Sequence, residues 1–340
     1  MPGRTQRDRP WRVAILNSHP IQYFAPLYRR LNAEPDIDIT VLFCSRQGLD
    51  KYHDTGFGVE VSWDVPLTEG YPHAFLPNLR RGDKEIGGFF DLVNPAVVEW
   101  LRRGFDALWV NGHAYATYVA GILAARAGGT HVLMRTETHQ GLSRSALKRM
   151  MRKPVLRGLY GSRASFLAIG SRNRDFYRTL GIQADRIFVV PYAVDNAFFR
   201  DRAREARTRR QEVRRTHGLP EEASIVLFAS KLTERKKPDH LLEAFAALLR
   251  RLPDAHLAFA GSGEMEIILR RRAASMGLHS KVSFLGFRNQ SELPALFAVS
   301  DVFVLPSVNE PWGLVINEAM AAGLPVVVSA EVGAVPDLVF

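Results

Sequence analysis

The sequence has very little cysteine: Cys44 is the only one in 340 residues. A single thiol cannot form an internal disulfide, which favours a reducing compartment. Long apolar runs are missing too, because none approaches the roughly 18 residues typical of a membrane-spanning helix. The charged first residues are followed by an apolar run too short for a signal peptide. We therefore expect a cytoplasmic protein.

Metal and triphosphate motifs are also absent from the sequence. No cluster has the ligand spacing of zinc or calcium sites, and no Walker-type loop is present, so we expect no metal and no cofactor. Positive charge is abundant: the formal net charge of +10 indicates an anionic partner, which is a nucleic acid, a phosphate-bearing substrate or an anionic membrane surface. A hydrophobic content of 46% can supply cores for two domains.

Residues 305–329 have the pattern of a strand, a helix and a second strand. Apart from Asp301 at its start, the run Asp301–Leu305 is continuously apolar, and so is Leu324–Val328, as strands of a parallel sheet covered on both faces must be. Between them we predict a helix that begins at Pro311 and stops at Gly323. The turn before this helix would lie outside the carboxyl end of a strand, where open α/β sheets bind ligands. It holds Ser307, Asn309 and Glu310.

Two glutamates of this stretch have both a structural and a functional interpretation. Glu310 can simply complement a helix dipole, a contribution of roughly 0.3–1 kcal/mol, and Glu318 can be a solvated helix residue. However, the order of strand, Pro-Ser, Glu310, Pro-Trp-Gly-Leu, Glu318-Ala-Met-Ala, Gly and Pro-Val-Val resembles the donor motif of family 4 retaining glycosyltransferases. The resemblance implies that Glu310 binds hydroxyls of the transferred sugar and that Glu318 holds the ribose diol of the nucleotide.

A basic loop after the predicted strand Ser224–Ala229 also resembles this family. There, an arginine and a lysine five residues apart hold the donor's diphosphate; Lys231 takes the arginine's place and Lys236 matches the lysine. A lysine keeps the charge but loses the bidentate fork, so we expect weaker donor binding. The alternative is two exposed lysines on a loop. Further donor-binding candidates lie at other strand ends: Gly261, then Gly286, Phe287 and Arg288, where the family's backbone recognises the nucleobase, and the helix-start residues Trp312, Gly313 and Leu314.

The N-terminal half offers weaker candidates at predicted strand ends. In the family, a histidine at the place of His113 faces the transferred sugar, and the alternative is an ordinary helix-entry histidine. His19 can line the acceptor side or merely cap a helix, and this chain lacks the glycines that the family often carries in that turn. Arg135 and Glu137 can bind substrate or pair with each other across a turn. Gly48–Gly88 shows little periodicity, so we interpret it as a functional loop and a natural acceptor-contacting insertion.

Two basic segments have alternative interpretations. Ser143–Arg163 contains no acid and interleaves Lys and Arg with apolar residues at near-helical spacing, so it can dock on an anionic membrane near a lipid-linked acceptor. It can equally be a surface helix of its own domain. Residues 200–215 hold eight arginines and three acids, which favours a solvated helical connector over a nucleic-acid site, because no RNA-stacking aromatic pattern accompanies them.

The resemblance implies the α/β architecture called GT-B, with two Rossmann-like domains facing each other across a cleft. We predict an acceptor-side domain at 10–195, a connector at 196–222 and a donor domain at 223–340 that is incomplete at its C-terminus. The expected reaction is retaining transfer of a sugar from a nucleotide-sugar to a glycan or lipid-linked acceptor, without a metal or nucleic acid. The alternatives are a sugar-nucleotide epimerase and a basic binding protein that has lost catalysis.

Overall fold

The computed structural model describes residues 9–80, 86–138 and 164–339, with Leu156, Gly158 and Leu159 between the last two ranges. The chain divides into two compact units. Unit 1 contains the residues up to Asp50 together with Pro66–Pro191. Unit 2 contains Lys51–Val65 together with the residues from Tyr192 onward. Residues 51–65 were predicted to belong to the N-terminal domain, but they pack within unit 2.

Unit 1 is a parallel sheet with helices between its strands. Seven strands are hydrogen-bonded in the order β5-β2-β1-β6-β7-β8-β9. The strands are β1 Trp11–Asn17, β2 Ile37–Phe43, β5 His73–Phe75, β6 Ala107–Val110, β7 His131–Thr136, β8 Ala164–Ala168 and β9 Ile187–Val189. The helices described in this unit are α1 Phe24–Asn32, α2 Ala96–Leu101, α3 Ala116–Ala127 and α4 Ser171–Thr179.

The core of unit 1 explains why its central strands read as apolar runs. All four residues of β6 are buried, and Leu16, Leu42 and Met134 of neighbouring strands are fully buried with them. A strand covered on both faces has no solvent side, so its sequence shows no alternation. The sequence predicts these strands at 12–16, 37–43, 107–111, 131–135 and 164–169, and the observed bounds of β1, β2, β6, β7 and β8 agree within about two residues, the usual margin at element ends.

Unit 2 has a second parallel sheet of five strands, in the order β12-β11-β10-β13-β14. The strands are β10 Ser224–Ala229, β11 Ala255–Ala260, β12 Val282–Gly286, β13 Val302–Leu305 and β14 Val326–Val328. The helices are α5 Asn196–Thr208, α6 Arg210–Thr216, α7 Pro238–Leu248, α8 Glu266–Ser275, α9 Leu293–Val299, α10 Leu314–Ala321 and α11 Val335–Leu338. A separate two-stranded hairpin, β3 Tyr52–Asp54 and β4 Val59–Val61, completes the unit.

Three local predictions were wrong. Gly48–Gly88 is not a structureless loop, because it forms the β3–β4 hairpin and supplies β5, whose three residues are too short to show a period. From its sequence, Ser171 is predicted to cap a helix that runs to Leu180, but it is the first helical residue, and Gly170 stands at the capping position. The helix after Glu310 begins at Leu314 instead of Pro311, because Gly313 takes the left-handed conformation (φ 92°) directly before it.

The basic connector is helical, as expected, but one of its arginines is not solvated. Arg214 on α6 is 1% exposed. Its guanidinium donates to the carbonyl of Val299 (2.8 Å) and to that of Glu221 (2.7 Å), and it lies 3.2 Å from the carboxylate of Asp301. The connector is thus anchored to the sheet of unit 2. Across the described ranges, no helix is both long and apolar enough to cross a membrane.

Candidate functional site

The turns that follow the strands of unit 2 bring most of the predicted donor residues to one edge of its sheet. All neighbouring strands in this sheet are parallel, so their carboxyl ends share an edge. Lys231 follows β10, Gly261 follows β11, Phe287 follows β12 and Glu310 follows β13. Such an edge is where open α/β sheets place ligands.

A buried charge cluster forms where the turns after β10 and β13 meet. The ammonium of Lys236 lies 2.5 Å from Oε2 of Glu310, and both residues are less than a tenth exposed. Arg235 donates to the same oxygen over 2.9 Å, and its carbonyl accepts the amide of Val308. Burial lowers the pKa of Lys236, and the adjacent Glu310 acts in the opposite direction. Two cations, Lys236 and Arg235, thus lie beside the carboxylate of Glu310 at the strand edge.

Lys231, the other predicted phosphate ligand, pairs with a residue of the β3–β4 hairpin. Its Nζ lies 2.6 Å from Oδ1 of Asp54 and 4.7 Å from the centre of the Phe57 ring. Burial by itself raises the pKa of Asp54, but the hydrogen bonds from Lys231 and from the Phe57 and Gly56 amides outweigh it and lower the pKa. The Lys231 side chain is about one third exposed, and its ammonium already forms an ion pair with Asp54.

The Gly261-Ser262-Gly263 turn after β11 requires glycine for a steric reason. A Cβ placed on Gly261 would lie 2.0 Å from the carbonyl oxygen of Ser230, far inside van der Waals contact. The backbone there also has φ 144°, and the Gly261 amide donates to the Gly286 carbonyl over 2.7 Å. This close approach keeps two strand ends together, and the turn leads into helix α8.

The turn after β12 is apolar where the nucleobase was expected. Phe287 packs edge-on against Phe57, with ring centres 4.9 Å apart, and against Trp63 at 6.1 Å. Arg288 instead turns back on its own segment, where it donates to Glu292 (2.9 Å) and to the carbonyl of Leu285 (2.7 Å).

Glu318 on helix α10 is a buried carboxylate at the same edge. It is 7% exposed, and its Oε1 accepts a hydrogen bond from Nε2 of Gln290 at 3.0 Å. Burial raises its pKa from 4.5 to about 7, and the hydrogen bond from Gln290 offsets only part of that shift. A carboxyl group with such a pKa changes its charge near neutral pH, which is typical of functional positions but also occurs in structural ones.

The remaining donor candidates form the start of helix α10. Trp312 is 3% exposed; its Nε1 donates to Asn317 over 2.9 Å and its ring packs near Tyr192. Gly313 precedes the helix, and Leu314 is its first residue. The amide of Gly333 donates to the Glu310 carbonyl at 2.9 Å, so the C-terminal segment holds the backbone of the Glu310 turn.

Unit 1 places its four candidates at strand ends as well. His19 is half-buried; Ser18 Oγ lies 3.0 Å from its Nδ1, and burial lowers its pKa to about 4. Arg135 is 2% exposed, with its guanidinium 5.8 Å from the centre of the Phe24 ring. Glu137 is exposed and His113 is half-buried. The roles predicted for these residues stay predictions.

Among the described residues, no group of three or more His, Cys, Asp or Glu is arranged to hold a metal ion. The segment 143–163, predicted to contact an anionic surface, lies outside the described residues apart from Leu156, Gly158 and Leu159.

Three residues at the strand edge were not found by sequence reasoning: Asp54, Arg235 and Gln290. Arg235 immediately precedes Lys236, so the basic run itself was an available signal. Gln290 follows the predicted base-binding turn by two residues. Asp54 had no sequence signal, because 177 positions separate it from its partner Lys231.

Two Rossmann-like units, with clustered cations and glutamates at the carboxyl edge of the second sheet, define a GT-B glycosyltransferase fold. Comparisons with known proteins agree: the family model "Glycosyl transferases group 1" matches residues 209–339. A D-inositol 3-phosphate glycosyltransferase of Salinispora arenicola is 37% identical over 376 residues, covering 98% of this chain and 80% of that protein. The chain therefore belongs to the group 1 glycosyltransferases.

Other relatives match shorter segments. An uncharacterized glycosyltransferase of Methanocaldococcus jannaschii is 43% identical over 120 residues, which are 35% of this chain and only 30% of that protein. Three further curated relatives are covered over 34% or 42% of their lengths. Among solved structures, Anabaena HepE in complex with UDP and glucose has a TM-score of 0.66 at 18% identity, with 96% of this chain and 82% of that chain covered. That likeness confirms the predicted fold class.

Proposed function

We propose that this chain transfers a sugar from a nucleotide-sugar donor to a hydroxyl of an acceptor, with retention of the anomeric configuration. The observation that carries the proposal is the buried Lys236–Glu310 pair, which lies at the same strand edge as Lys231, Glu318 and the Gly-Ser-Gly turn. One edge thus offers cations for a diphosphate, a carboxylate for sugar hydroxyls and a second carboxylate for a ribose diol.

Each group has a defined task in this reaction. The bond between C1 of the sugar and the diphosphate oxygen breaks as the acceptor oxygen bonds to C1, so negative charge develops on the leaving diphosphate, whose oxygen takes up the proton of the acceptor hydroxyl. Lys236 and Lys231, with the first amides of helix α10, stabilise that charge without a metal. Glu310 hydrogen-bonds the sugar hydroxyls, and the salt links from Lys236 and Arg235 fix its position. Glu318 holds the ribose diol.

The names of two similar proteins support a proposal for the substrate class. Anabaena HepE was solved with UDP and glucose, and a relative in Mycolicibacterium smegmatis is named a GDP-mannose-dependent mannosyltransferase that acts on a phosphatidylinositol monomannoside. These names support a hexose donor and a glycan or lipid-linked acceptor for this chain. A lipid-linked acceptor also agrees with the basic segment 143–163, which would hold a cytoplasmic enzyme at an anionic membrane surface.

Nucleotide binding is the first test of this function. Thermal stabilisation and calorimetric affinity are measured with UDP, GDP and ADP for the wild type, Lys236→Ala and Glu318→Ala. We expect one nucleotide to stabilise the wild type selectively and both variants to lose most of that effect. Arg271→Ala is the matched control, since it removes an exposed cation of unit 2 outside the candidate site.

Sugar transfer is tested next with the sugar nucleotides of the base that binds. Product mass identifies transfer, and the NMR coupling constant at the anomeric carbon distinguishes retention from inversion. Incubation with donor alone separates a transferase from an epimerase, because only the epimerase changes the sugar without an acceptor. If no nucleotide binds, or if Lys236→Ala binds as tightly as the wild type, the proposed donor site is wrong.

A further inference from the structure

The β3–β4 hairpin lies across three of the strand ends that form the candidate site. It reaches the turn after β10 through Asp54, which pairs with Lys231. The turn after β11 contacts it through Ser262, whose hydroxyl donates to the Phe57 carbonyl at 2.8 Å. At the turn after β12, Asn289 donates to the Ser62 carbonyl at 2.6 Å.

The hairpin is held there by apolar as well as polar contacts. Phe57 and Trp63 both meet the ring of Phe287, which follows the last strand residue Gly286. Asp64 accepts the Ser291 amide over 3.2 Å. These contacts come from both ends of the hairpin, so the segment packs on unit 2 along its length.

Asp54 is shaped to present a fixed negative charge to Lys231. It is 7% exposed, and its Oδ1 accepts the amides of Gly56 and Phe57, each at 2.9 Å, in addition to the ammonium. Three donors on one oxygen hold the carboxylate in a single orientation. The carboxylate stands 2.6 Å from the amine, which is the distance that a phosphate oxygen of a bound diphosphate would take.

We propose that Asp54 is an internal competitor of the donor's diphosphate, so that nucleotide binding at Lys231 displaces the β3–β4 hairpin. The inference rests on the proposed donor site and adds a regulatory element to it. A phosphate oxygen at the Lys231 ammonium would repel the Asp54 carboxylate, because both anions then face one cation, whereas Glu310 faces two, Lys236 and Arg235. The affinity for a nucleoside diphosphate is therefore reduced by the free energy that holds the hairpin closed.

The aromatic contacts of the β3–β4 hairpin determine what else its displacement uncovers. Because Phe57 and Trp63 cover Phe287, opening would also uncover the aromatic ring beside the expected base site. Binding of the phosphates and access of the base are thus coupled through one segment. A nucleoside without phosphates does not meet Asp54 directly but needs the same opening at Phe287, so charge removal at Asp54 should tighten its binding less than that of the nucleoside diphosphate.

The test compares Asp54→Asn with the wild type. Asparagine keeps the side-chain oxygen that the Gly56 and Phe57 amides need, while it removes the negative charge. We expect the nucleoside diphosphate selected above to bind about tenfold more tightly to Asp54→Asn, the order of one charge-assisted hydrogen bond. Glu60→Gln is the matched control, because Glu60 is an exposed acid on the same hairpin that pairs with Lys51 away from Lys231. Its affinity should equal that of the wild type.

Hydrogen exchange of the peptide 51–65 gives a second, independent readout. Adding the nucleoside diphosphate to the wild type should increase exchange there, because displacement frees the Asp64 amide from Asn289 and exposes the backbone that the contact covers. Reduced exchange would mean that the hairpin closes over the nucleotide, and it would overturn the proposal, as would equal or weaker binding by Asp54→Asn. If the wild type binds nucleotide in a Lys236-dependent way while these results are negative, only the gate is refuted. If neither protein binds nucleotide, both proposals fail.

Discussion

Replacing Glu318 by glutamine should remove a pH-dependent loss of stability. In the folded protein, burial raises the pKa of this carboxyl group from 4.5 to about 7. A raised acid pKa means that the folded state binds the proton more tightly than the unfolded state. The carboxyl therefore costs nothing below the unfolded pKa, and its cost grows as the pH rises from about 4.5 to about 7.

The size of the effect follows from the shift itself. A difference of about 2.5 pKa units corresponds to roughly 3 kcal/mol at 1.36 kcal/mol per unit. Glutamine resembles the protonated carboxyl and can keep a hydrogen bond with Gln290, so it avoids the cost at every pH. Between about pH 4 and pH 8, the variant should gain roughly 3 kcal/mol over the wild type in the free energy of unfolding.

Urea unfolding of both proteins at several pH values measures this difference. Other titrating groups, such as His19 and His256, cancel because they are common to the two proteins. Glu264→Gln serves as the control, since it changes an exposed carboxylate of the same unit. Parallel pH profiles for the wild type and Glu318→Gln would refute the argument. If Glu318 holds a ribose diol as a carboxylate, nucleotide affinity of the wild type should instead increase through the same pH window.

Three further variants test other features of unit 2. Lys237→Gly should stabilise by about 0.5–1 kcal/mol in urea unfolding, because Lys237 has φ 51°, a conformation that favours glycine; an unchanged midpoint would contradict this. Gly261→Ala should lower the melting temperature much more than Gly277→Ala, whose added Cβ would meet nothing within 4 Å, although both have positive φ. Arg214→Met should cost about 3 kcal/mol or more by leaving buried carbonyls unpaired, whereas the exposed Arg215→Met should change little, and equal melting temperatures would disprove the anchoring role.

Much of the fold was predictable because most buried parallel strands of this chain are recognisable in its sequence as apolar runs. The runs at β10 and β13 contain only Ser224 as a polar residue, and each is followed by a helix, so the parallel sheet and its ligand edge followed from short-range patterns. The same logic placed Glu310 and Lys236 at neighbouring strand ends, and they are in contact. Strands of three residues, such as β3 and β5, give no such pattern and were missed.

The missed parts of the site depend on contacts between distant positions. Nothing in the sequence around Asp54 indicates that it will meet Lys231, because this contact forms only after unit 2 has folded. Arg214 was misread for the same reason: its neighbours on α6 are charged and exposed, while its own partners are carbonyls at residues 221 and 299. The composition of a segment predicts its average exposure to solvent but not whether one side chain is buried.

Unit 2 is built from two separate segments of the chain, Lys51–Val65 and the residues from Tyr192 onward, which affects how the chain folds during synthesis. Residues 51–65 leave the ribosome long before their partners, since Ser62 and Asn289 are 227 positions apart. Unit 1 can begin to assemble around them, whereas unit 2 must wait and then recover an early segment by closing a very long loop. Such non-local closure is intrinsically slow. In refolding experiments, docking of the hairpin should therefore be a late event that follows formation of the second sheet.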